Sequence, residues 1–290
     1  MSTTYTSHHY LIRALSNLHP GSGTNTFGNI DKVVQRDYAS GLPTIHASSL
    51  KGALRELANY HHPPSVTKRE GKPDKVTENA FIRHVFGSDN RRGQAANLQQ
   101  GSHLFHDAQL LALPLRSSHQ LFYLATTPVL LNAFLVANEG CLSEQAQTQL
   151  AALAATSTKK GEPVCLGGTE DIIYLEELRG RRKTPTPPVD ALQALLGERI
   201  ALLDVDDFAN YCQQMPTLAR NVLNNGISEN LWYEEIVPRE TRFYTRITNT
   251  RPDAEQRALA TLLNDKAEVQ IGANATVGYG FTEWSSLKKA

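Results

Sequence analysis

Residues 19–56, HPGSGTNTFGNIDKVVQRDYASGLPTIHASSLKGALRE, decide the fold because they join a glycine-rich loop to an amphipathic helix. The loop follows a strand-like alternation at 10–15 and carries His19 and Asp31. A helix is predicted from about residue 49 to 60, where apolar residues recur at spacings of three and four. The loop therefore precedes a helix start that presents backbone amides to whatever lies in front of it.

The start of this helix has the features of an anion-binding site. Ser48 or Ser49 begins the helix, so its first free amides and its positive dipole end form a site for a phosphate. Lys51 and Arg55 lie four residues apart on one face and can reach the same surface. A capped amphipathic helix with solvated cations would show the same spacing.

Composition bounds the class of protein. With 290 residues, of which 40% are hydrophobic, the chain can bury a sizeable core as one large domain or two small ones. Its formal net charge of zero argues against a uniformly basic nucleic-acid binder but allows local basic surfaces. Cys141, Cys165 and Cys212 are far apart, which favours reduced thiols over a disulfide framework or a zinc site.

The sequence predicts a cytoplasmic protein. Its N-terminus has no basic region followed by an apolar run, and no segment has the unbroken apolar length of a membrane helix. We therefore expect no membrane partner.

The remaining chain mixes helix and strand patterns. Helices are predicted at 77–86, 128–138, 144–155, 204–214 and 254–264, and strands at 103–116, 120–125, 171–178, 231–236, 242–247, 268–272 and 280–284. The basic, proline-broken run 179–188 is predicted to be irregular and to protrude. Without a Rossmann or Walker fingerprint, this pattern favours an α+β sheet with helices on one face.

A second glycine-rich stretch, IGANATVGYGF at 271–281, lies between two predicted strands. Gly272, Gly278 and Gly280 would let the backbone approach an anionic polymer closely, although a plain hairpin loop would also explain them.

Three segments together resemble the repeat-associated mysterious proteins (RAMPs) of CRISPR effector complexes. They are the loop with His19 and Asp31, the helix start SSLKGALR at 48–55, and the glycine-rich loop 272–280. Within that superfamily the chain is similar to the backbone subunit of the Cmr (type III-B) complex. This similarity lies in GSHLFHDAQLLALPLRS (101–117), DVDDF (204–208) and LWYEEIVPRETRFY (231–244).

The resemblance implies a single RAMP domain over 1–290 with an RRM-like (ferredoxin-like) palm. It also implies a helical insertion at about 60–100 and a protruding thumb at about 160–190. Copies of such subunits stack with other Cmr-type effector subunits along one CRISPR RNA. Each thumb displaces a base pair of the guide–target duplex, and target RNA is cut there.

The resemblance also implies the site. Asp31 matches an aspartate that the family needs for cutting, and His19 and Glu234 match residues near it. Ile236 stands where the family has a tyrosine, and Ala273 stands where a second glycine is usual. The positions expected to bind RNA are Ser48, Ser49, Lys51, Arg55, Gly272, Gly278, Gly280, Arg181, Arg182 and Lys183.

The chemistry of RNA fits this assignment. The ribose 2′-hydroxyl is an internal nucleophile, so a protein needs only to align it and to neutralise the developing charge. A divalent cation, Mg²⁺ or Mn²⁺, held by Asp31 would supply that charge, and the products would carry 2′,3′-cyclic phosphates.

Other interpretations stay open. Asp31 could cap a turn, His19 could be a loop hydrogen bonder, and Trp232 could belong to the core. The chain could then be a non-catalytic CRISPR RNA-binding subunit. A metal-dependent hydrolase of small substrates is disfavoured, because Asp31 lacks a second ligand at the usual spacing.

Overall fold

The described residues of the first part of the chain form six strands and two helices. The computed structural model describes residues 5–24, 30–69, 75–88, 99–184, 187–251, 259–264 and 266–287. Its first elements are β1 (Thr6–Ala14), β2 (Gly21–Thr24), β3 (Lys32–Val34), β4 (Thr44–Ile45), α1 (Ala47–His61), β5 (Ser65–Thr67), β6 (Lys75–Thr77) and α2 (Ala80–Phe86). None of the helices described is long and apolar enough to cross a membrane.

The two predicted helices of this part begin at other residues than expected. Helix α1 starts at Ala47, with His46 as its N-cap residue. Helix α2 starts at Ala80 because Asn79, and not Thr77, accepts the capping hydrogen bond from Phe81. Gly87 ends α2 as predicted, with a φ of 85° that favours glycine.

The middle of the chain adds strands and two packed helices. It contains β7 (His103–Phe105), β8 (Ala108–Arg116), β9 (Phe122–Thr126), α3 (Pro128–Ala137), α4 (Glu144–Ala154), β10 (Val164–Leu166), β11 (Ile172–Leu175), β12 (Leu178–Arg182), α5 (Gln193–Leu196), β13 (Ile200–Leu202) and α6 (Val205–Gln213). The predicted caps of α3 and α4 are confirmed: Thr127 accepts from the Leu130 amide at 3.1 Å and Ser143 from the Ala146 amide at 3.2 Å.

The last part consists mainly of long strands. They are β14 (Thr217–Asn224), β15 (Ile227–Glu235), β16 (Arg242–Asn249), β17 (Ala267–Gln270) and β18 (Phe281–Ser286). The predicted helix 254–264 lies partly outside the described residues, and 259–262 within it are helical.

The predicted ferredoxin-like palm is confirmed by the order of four strands. Within the large sheet β8, β16, β1 and β18 are successive neighbours, and every one of these pairs is antiparallel. Numbered along the chain, this is the order 2-3-1-4 that a βαββαβ unit produces. Helix α1 follows the first strand of the unit, and helical residues 259–262 precede the last.

Both faces of the palm sheet are covered, so the expectation of helices on one face is wrong. Along β1, Tyr10 and Ile12 belong to the core under α1, whereas Leu11 points into a second core with α3 and α4. In that second core Phe134 packs edge-on against Tyr244, with ring centroids 5.0 Å apart. The segment between β8 and β16 supplies α3 and α4, which is why a second layer forms.

The prediction of an irregular segment over 179–188 is wrong for its first residues. Strand β12 pairs with β11 and β10 and extends the large sheet. Gly180 allows this close pairing, because a Cβ there would lie 2.8 Å from the Cys165 sulfur. Residues 185–186 lie outside the described part. The segment 160–190 thus supplies strands of the main sheet.

The element that extends from the sheet is the hairpin of β14 and β15, called the ribbon here. No strand was predicted for β14. All residues from 221 to 230 are exposed, and β15 joins the rest of the fold through β3. Asn225 and Gly226 form the turn with φ angles of 48° and 82°, as an Asn-Gly hairpin turn requires.

Candidate functional site

Asp31 lies where the glycine-rich loop meets the ribbon. Its amide donates to the Tyr233 carbonyl at 3.1 Å, and its Oδ2 accepts from the Tyr233 amide at 2.8 Å. Among the described residues, no side chain or amide binds the second carboxylate oxygen, and Asp31 is exposed. The carboxylate is therefore oriented by the backbone of β15 and open to solvent.

Glu234, the next residue of the ribbon, is buried and binds four donors. Oε1 accepts from Lys32 Nζ and from Trp232 Nε1, each at 3.2 Å. Oε2 accepts from Arg220 Nε at 3.1 Å and from Asn274 Nδ2 at 2.9 Å. The donors come from β3, β14, β15 and the C-terminal glycine-rich loop (271–281), so this carboxylate joins four segments.

These contacts keep Glu234 ionised. Burial acts to raise its pKa, but the hydrogen bonds from Trp232 and Lys32 act in the opposite direction. Together with the bond from Asn274 and the charge of His19, they lower the pKa of Glu234 to about 2. At neutral pH the side chain is a fixed negative charge and a poor proton donor.

Two cations face this carboxylate, and aromatic rings hold both of them. Lys32 Nζ lies 4.8 Å from the centroid of the Trp232 ring, and the Arg220 guanidinium lies 4.8 Å from that of Tyr279. The Lys32 side chain is 43% exposed, whereas the Arg220 side chain is 24% exposed.

Glu235 points to the opposite side and stabilises the loop. Its Oε2 accepts from the Val34 amide at 2.9 Å, and its Oε1 pairs with the Arg36 guanidinium. Ile236 follows and is buried, so it offers no polar group to the site. Glu234 thus binds Lys32 and Arg220 on one side of the ribbon, whereas Glu235 binds Val34 and Arg36 on the other.

His19 is brought to the site, but its ring is buried. The residue is 3% exposed, and the ring Nδ1 donates to the Glu235 carbonyl at 2.7 Å. A Cβ at Gly21 would lie 3.0 Å from its Nε2, so the loop covers the second nitrogen. This geometry favours the role of a loop hydrogen bonder over that of a general acid or base.

Two of the three glycines serve packing inside the protein. A Cβ at Gly272 would lie 2.5 Å from the His19 carbonyl oxygen, and one at Gly280 would lie 2.4 Å from that of Ile271. Gly272 and Gly278 are both exposed, but Gly278 is different because no atom lies within 4 Å of its Cβ position. Only Gly278 therefore keeps the predicted freedom to approach a ligand.

The start of α1 is partly capped by the protein itself. Asp107 Oδ1 accepts from the Ala47 amide at 2.6 Å, and the Ser49 hydroxyl accepts from Gln35 at 2.8 Å. Ser48 is exposed and Lys51 is half-buried.

The other cation of the predicted anion site has a partner. Arg55 forms an ion pair with Glu78, and both side chains are about one-fifth exposed. Of the two predicted cations, Lys51 therefore remains a candidate for RNA binding, whereas Arg55 is engaged with Glu78.

The basic residues near 182 are also partly engaged. Arg182 Nη2 donates to Asp171 at 2.7 Å, and Lys183 Nζ donates to Thr156 at 2.9 Å. Arg181 is exposed.

The described residues contain no group of three or more His, Cys, Asp or Glu side chains that could hold a metal ion. Glu234 is occupied by its four donors, so Asp31 supplies the one available carboxylate of the site. Asp31 is thus the residue of the site that would hold a divalent cation, and it would do so through a single carboxylate.

Several residues of the site were not singled out from the sequence. The sequence analysis does not single out Lys32, Arg220 or Asn274. For Lys32 a signal exists, because it directly follows Asp31 in the chain. Trp232 is half-buried and Tyr233 is 43% exposed, so neither is an ordinary core residue.

Comparisons with known proteins agree on one family. The model of the RAMP superfamily matches residues 11–283. The chain is 29% identical to the "CRISPR system Cmr endoribonuclease Cmr4" of Pyrococcus furiosus, over 94% of this chain and 92% of that protein. It is 36% identical to the "CRISPR system CMR subunit Cmr4" of Saccharolobus solfataricus, over 37% of this chain and 29% of that protein.

Solved structures show the same fold. A chain of the type III-B Cmr-beta complex bound to cognate target RNA superposes with a TM-score of 0.73 at 22% identity, covering 97% of both chains. Oligomeric Cmr4 from Pyrococcus furiosus superposes with a TM-score of 0.66, also at 22% identity and over 97% of both chains.

Proposed function

Because this chain belongs to the RAMP superfamily, we propose that it is the backbone subunit of a type III-B CRISPR effector complex in the cytoplasm. Copies of the chain bind CRISPR RNA as a filament, together with other Cmr-type subunits, and cleave complementary target RNA as an endoribonuclease. The name of the Pyrococcus relative and the RNA-bound and oligomeric neighbours support this proposal.

The observation that carries the proposal is the junction of Asp31 with the ribbon. The ribbon exposes apolar side chains on a narrow two-stranded element, with Leu223 at 64% and Ile227 at 71% exposure. Asp31 is bound to Tyr233 at the base of the same element. A nucleotide displaced by the ribbon would therefore meet this carboxylate.

We assign the base-displacing thumb to the ribbon instead of to residues 160–190. Segments of the latter pair within the main sheet, whereas the ribbon is exposed from 221 to 230. Unstacking a nucleotide costs a few kcal/mol, and an apolar wedge between bases offsets that cost. The proposal also includes a single RAMP domain over 1–290, with a helical insertion at about 60–100.

Cleavage then follows from alignment. A displaced ribose can place its 2′-oxygen in line with the phosphorus and the departing 5′-oxygen, which an A-form stack prevents. Asp31 orients the reacting group, and a bound divalent cation would neutralise charge on the phosphate. His19 holds the N-terminal glycine-rich loop to the ribbon through its bond to the Glu235 carbonyl, and its own carbonyl accepts from the Ala273 amide of the C-terminal loop. The products carry a 2′,3′-cyclic phosphate and a 5′-hydroxyl.

Guide RNA is held by its backbone while base pairing reads the sequence. The exposed Ser48, Gly278 and Arg181, together with the half-buried Lys51, are the residues best placed for phosphates. Ser49, Arg55, Gly272, Gly280, Arg182 and Lys183 support this surface through internal contacts.

The test uses the assembled complex with a labelled target RNA. Asp31→Ala should abolish the regularly spaced cuts while guide binding and target pairing stay intact. Asp37→Ala, which removes another exposed aspartate of the same loop region, is the matched control and should cut normally. If Asp31→Ala cuts at the wild-type rate, the catalytic assignment fails and the subunit is a structural RNA binder.

A further inference from the structure

A lysine beside Asp31 is placed to act on the phosphate of the RNA, an inference that rests on the proposed function. Lys32 Nζ donates to Glu234 Oε1 at 3.2 Å and lies 4.8 Å from the Trp232 ring centroid. Its side chain is 43% exposed, whereas Glu234 is buried and Trp232 is half-buried. The ammonium group is thus fixed by the protein on one side and open to solvent on the other.

Glu234 does not cancel the positive charge of this cluster. The one carboxylate is shared between Lys32 and Arg220, which leaves an excess of one positive charge among the three side chains. Nη2 of Arg220 is buried and has no hydrogen-bond partner among the described residues. A cluster of fixed cations with incomplete compensation attracts a phosphate without having to rearrange.

Asp31 and Lys32 are held by consecutive residues of one strand. Asp31 binds the backbone of Tyr233, and Lys32 binds the side chains on either side of it, Trp232 and Glu234. A phosphodiester whose ribose is aligned at Asp31 therefore has the Lys32 ammonium as its neighbouring positive charge.

We propose that Lys32 is a catalytic residue that donates a hydrogen bond to a non-bridging oxygen of the scissile phosphate, and that Glu234 is the positioning residue that aims it. In the step itself the O2′–P bond forms and the P–O5′ bond breaks. The proton of the 2′-hydroxyl passes to water, and water returns a proton to the 5′-oxygen. Lys32 keeps its proton throughout, and its charge stabilises the dianionic transition state more than the monoanionic substrate.

Glu234 has no remaining position for the RNA. Its side chain is 1% exposed and all four donors around it belong to the protein. Its effect on cleavage must therefore pass through the groups that it holds. Of the two cations among them, Lys32 is the more exposed, at 43% against 24% for Arg220.

The experiment measures single-turnover cleavage by the assembled complex with Lys32→Ala, Lys32→Gln and Lys32→Arg. Removing one preorganised donor should slow cleavage by about a hundredfold, and arginine should restore at least about a tenth of the wild-type rate. Target binding should stay unchanged. Lys159→Ala removes an exposed lysine outside the proposed RNA surfaces and should cut at the wild-type rate.

A second measurement separates contact with the phosphate from a structural role. Replacing one non-bridging oxygen of the scissile phosphate with sulfur weakens hydrogen bonding at that atom. The wild-type complex should be slowed by one of the two sulfur diastereomers, and Lys32→Ala should show a smaller effect with that diastereomer. Equal sulfur effects in both complexes would overturn the inference.

The double variant tests the role of Glu234. If Glu234 acts through Lys32, then Lys32→Ala with Glu234→Gln should be no slower than the slower single variant. Fully multiplicative losses would contradict the positioning role. If Lys32→Ala cuts normally while Asp31→Ala does not, the inference fails and the proposed function stands. If neither change affects cutting, both fail.

Discussion

Asp31 and Tyr233 close a two-bond ring between residues that are 202 positions apart: the Asp31 amide binds the Tyr233 carbonyl, and the Tyr233 amide binds the Asp31 carboxylate at 2.8 Å. The ring continues the β3–β15 pairing by one residue and places a carboxylate at the base of the ribbon. Substitutions around this ring and in the rest of the proposed RNA surface should affect stability, RNA binding and cleavage separately.

Acid should weaken the site through Glu234. Its pKa is lowered from 4.5 to about 2 in the folded protein, so the unfolded chain binds more protons between these values. The stability that Glu234 contributes is therefore fully present above about pH 4.5 and is lost as the pH falls towards 2. Urea unfolding should show wild type and Glu234→Gln converging as the pH is lowered from about 6 to about 3. A constant difference between them would contradict the assignment.

Two of the three glycines of the C-terminal loop, Gly272 and Gly278, should differ in their tolerance of a methyl group. Gly272→Ala meets the His19 carbonyl oxygen at 2.5 Å in addition to its strained φ of 87°, so it should cost at least about 2 kcal/mol. Gly278→Ala has a similar φ of 84° but open space, and should cost about 1 kcal/mol. Thermal unfolding of the isolated chain checks this, and equal losses would mean that the close approach to His19 is unimportant.

Glu235 should matter more for folding than any glutamate of the ribbon tip. Glu235→Ala leaves the Val34 amide and the Arg36 guanidinium without their carboxylate, which should cost about 3 kcal/mol. Glu229→Ala removes an exposed carboxylate and should change the free energy of unfolding by less than about 0.5 kcal/mol. The midpoints of urea unfolding give both values, and similar losses would refute the structural role of Glu235.

Lys51 and Arg55 should separate in an RNA-binding assay. Lys51→Ala should weaken guide binding and reduce the slope of log affinity against log salt by about 0.7, as expected for one lost phosphate contact on a single strand. Arg55→Ala removes the ion pair with Glu78, so it should lower stability by about 1 kcal/mol and leave the salt slope unchanged. A reduced slope for Arg55→Ala would show that this ion pair opens on RNA.

The exposed apolar side chains at the tip of the ribbon should be dispensable for folding and required for cutting. Leu223→Ser with Ile227→Ser changes side chains that are 64% and 71% exposed, so stability should change by less than about 0.5 kcal/mol per site. Without an apolar wedge the nucleotide stays stacked, and target cleavage should fall at least about tenfold while guide binding persists. Leu104→Ser, at an exposed leucine outside the ribbon, is the control. Normal cleavage by the double variant would remove the ribbon from the mechanism.

The sequence predicts a helix start correctly where the capping hydrogen bond joins residues that are close along the chain. Thr127 and Ser143 bind amides three residues further along the chain, so the starts of α3 and α4 could be predicted from the sequence. Strand β12 was missed because Gly180 tolerates a close approach of Cys165 and Ile173, a tertiary contact that overrides the nearby prolines and charges.

The sequence by itself determined the family motifs, the order of the palm elements and the identities of His19, Asp31 and Glu234. Only the tertiary structure decided what those residues contact, because the partners of Glu234 come from positions 32, 220, 232 and 274. Hydrogen bonds and charges act over a few ångströms in space, and no spacing along the chain records which distant strands will be neighbours.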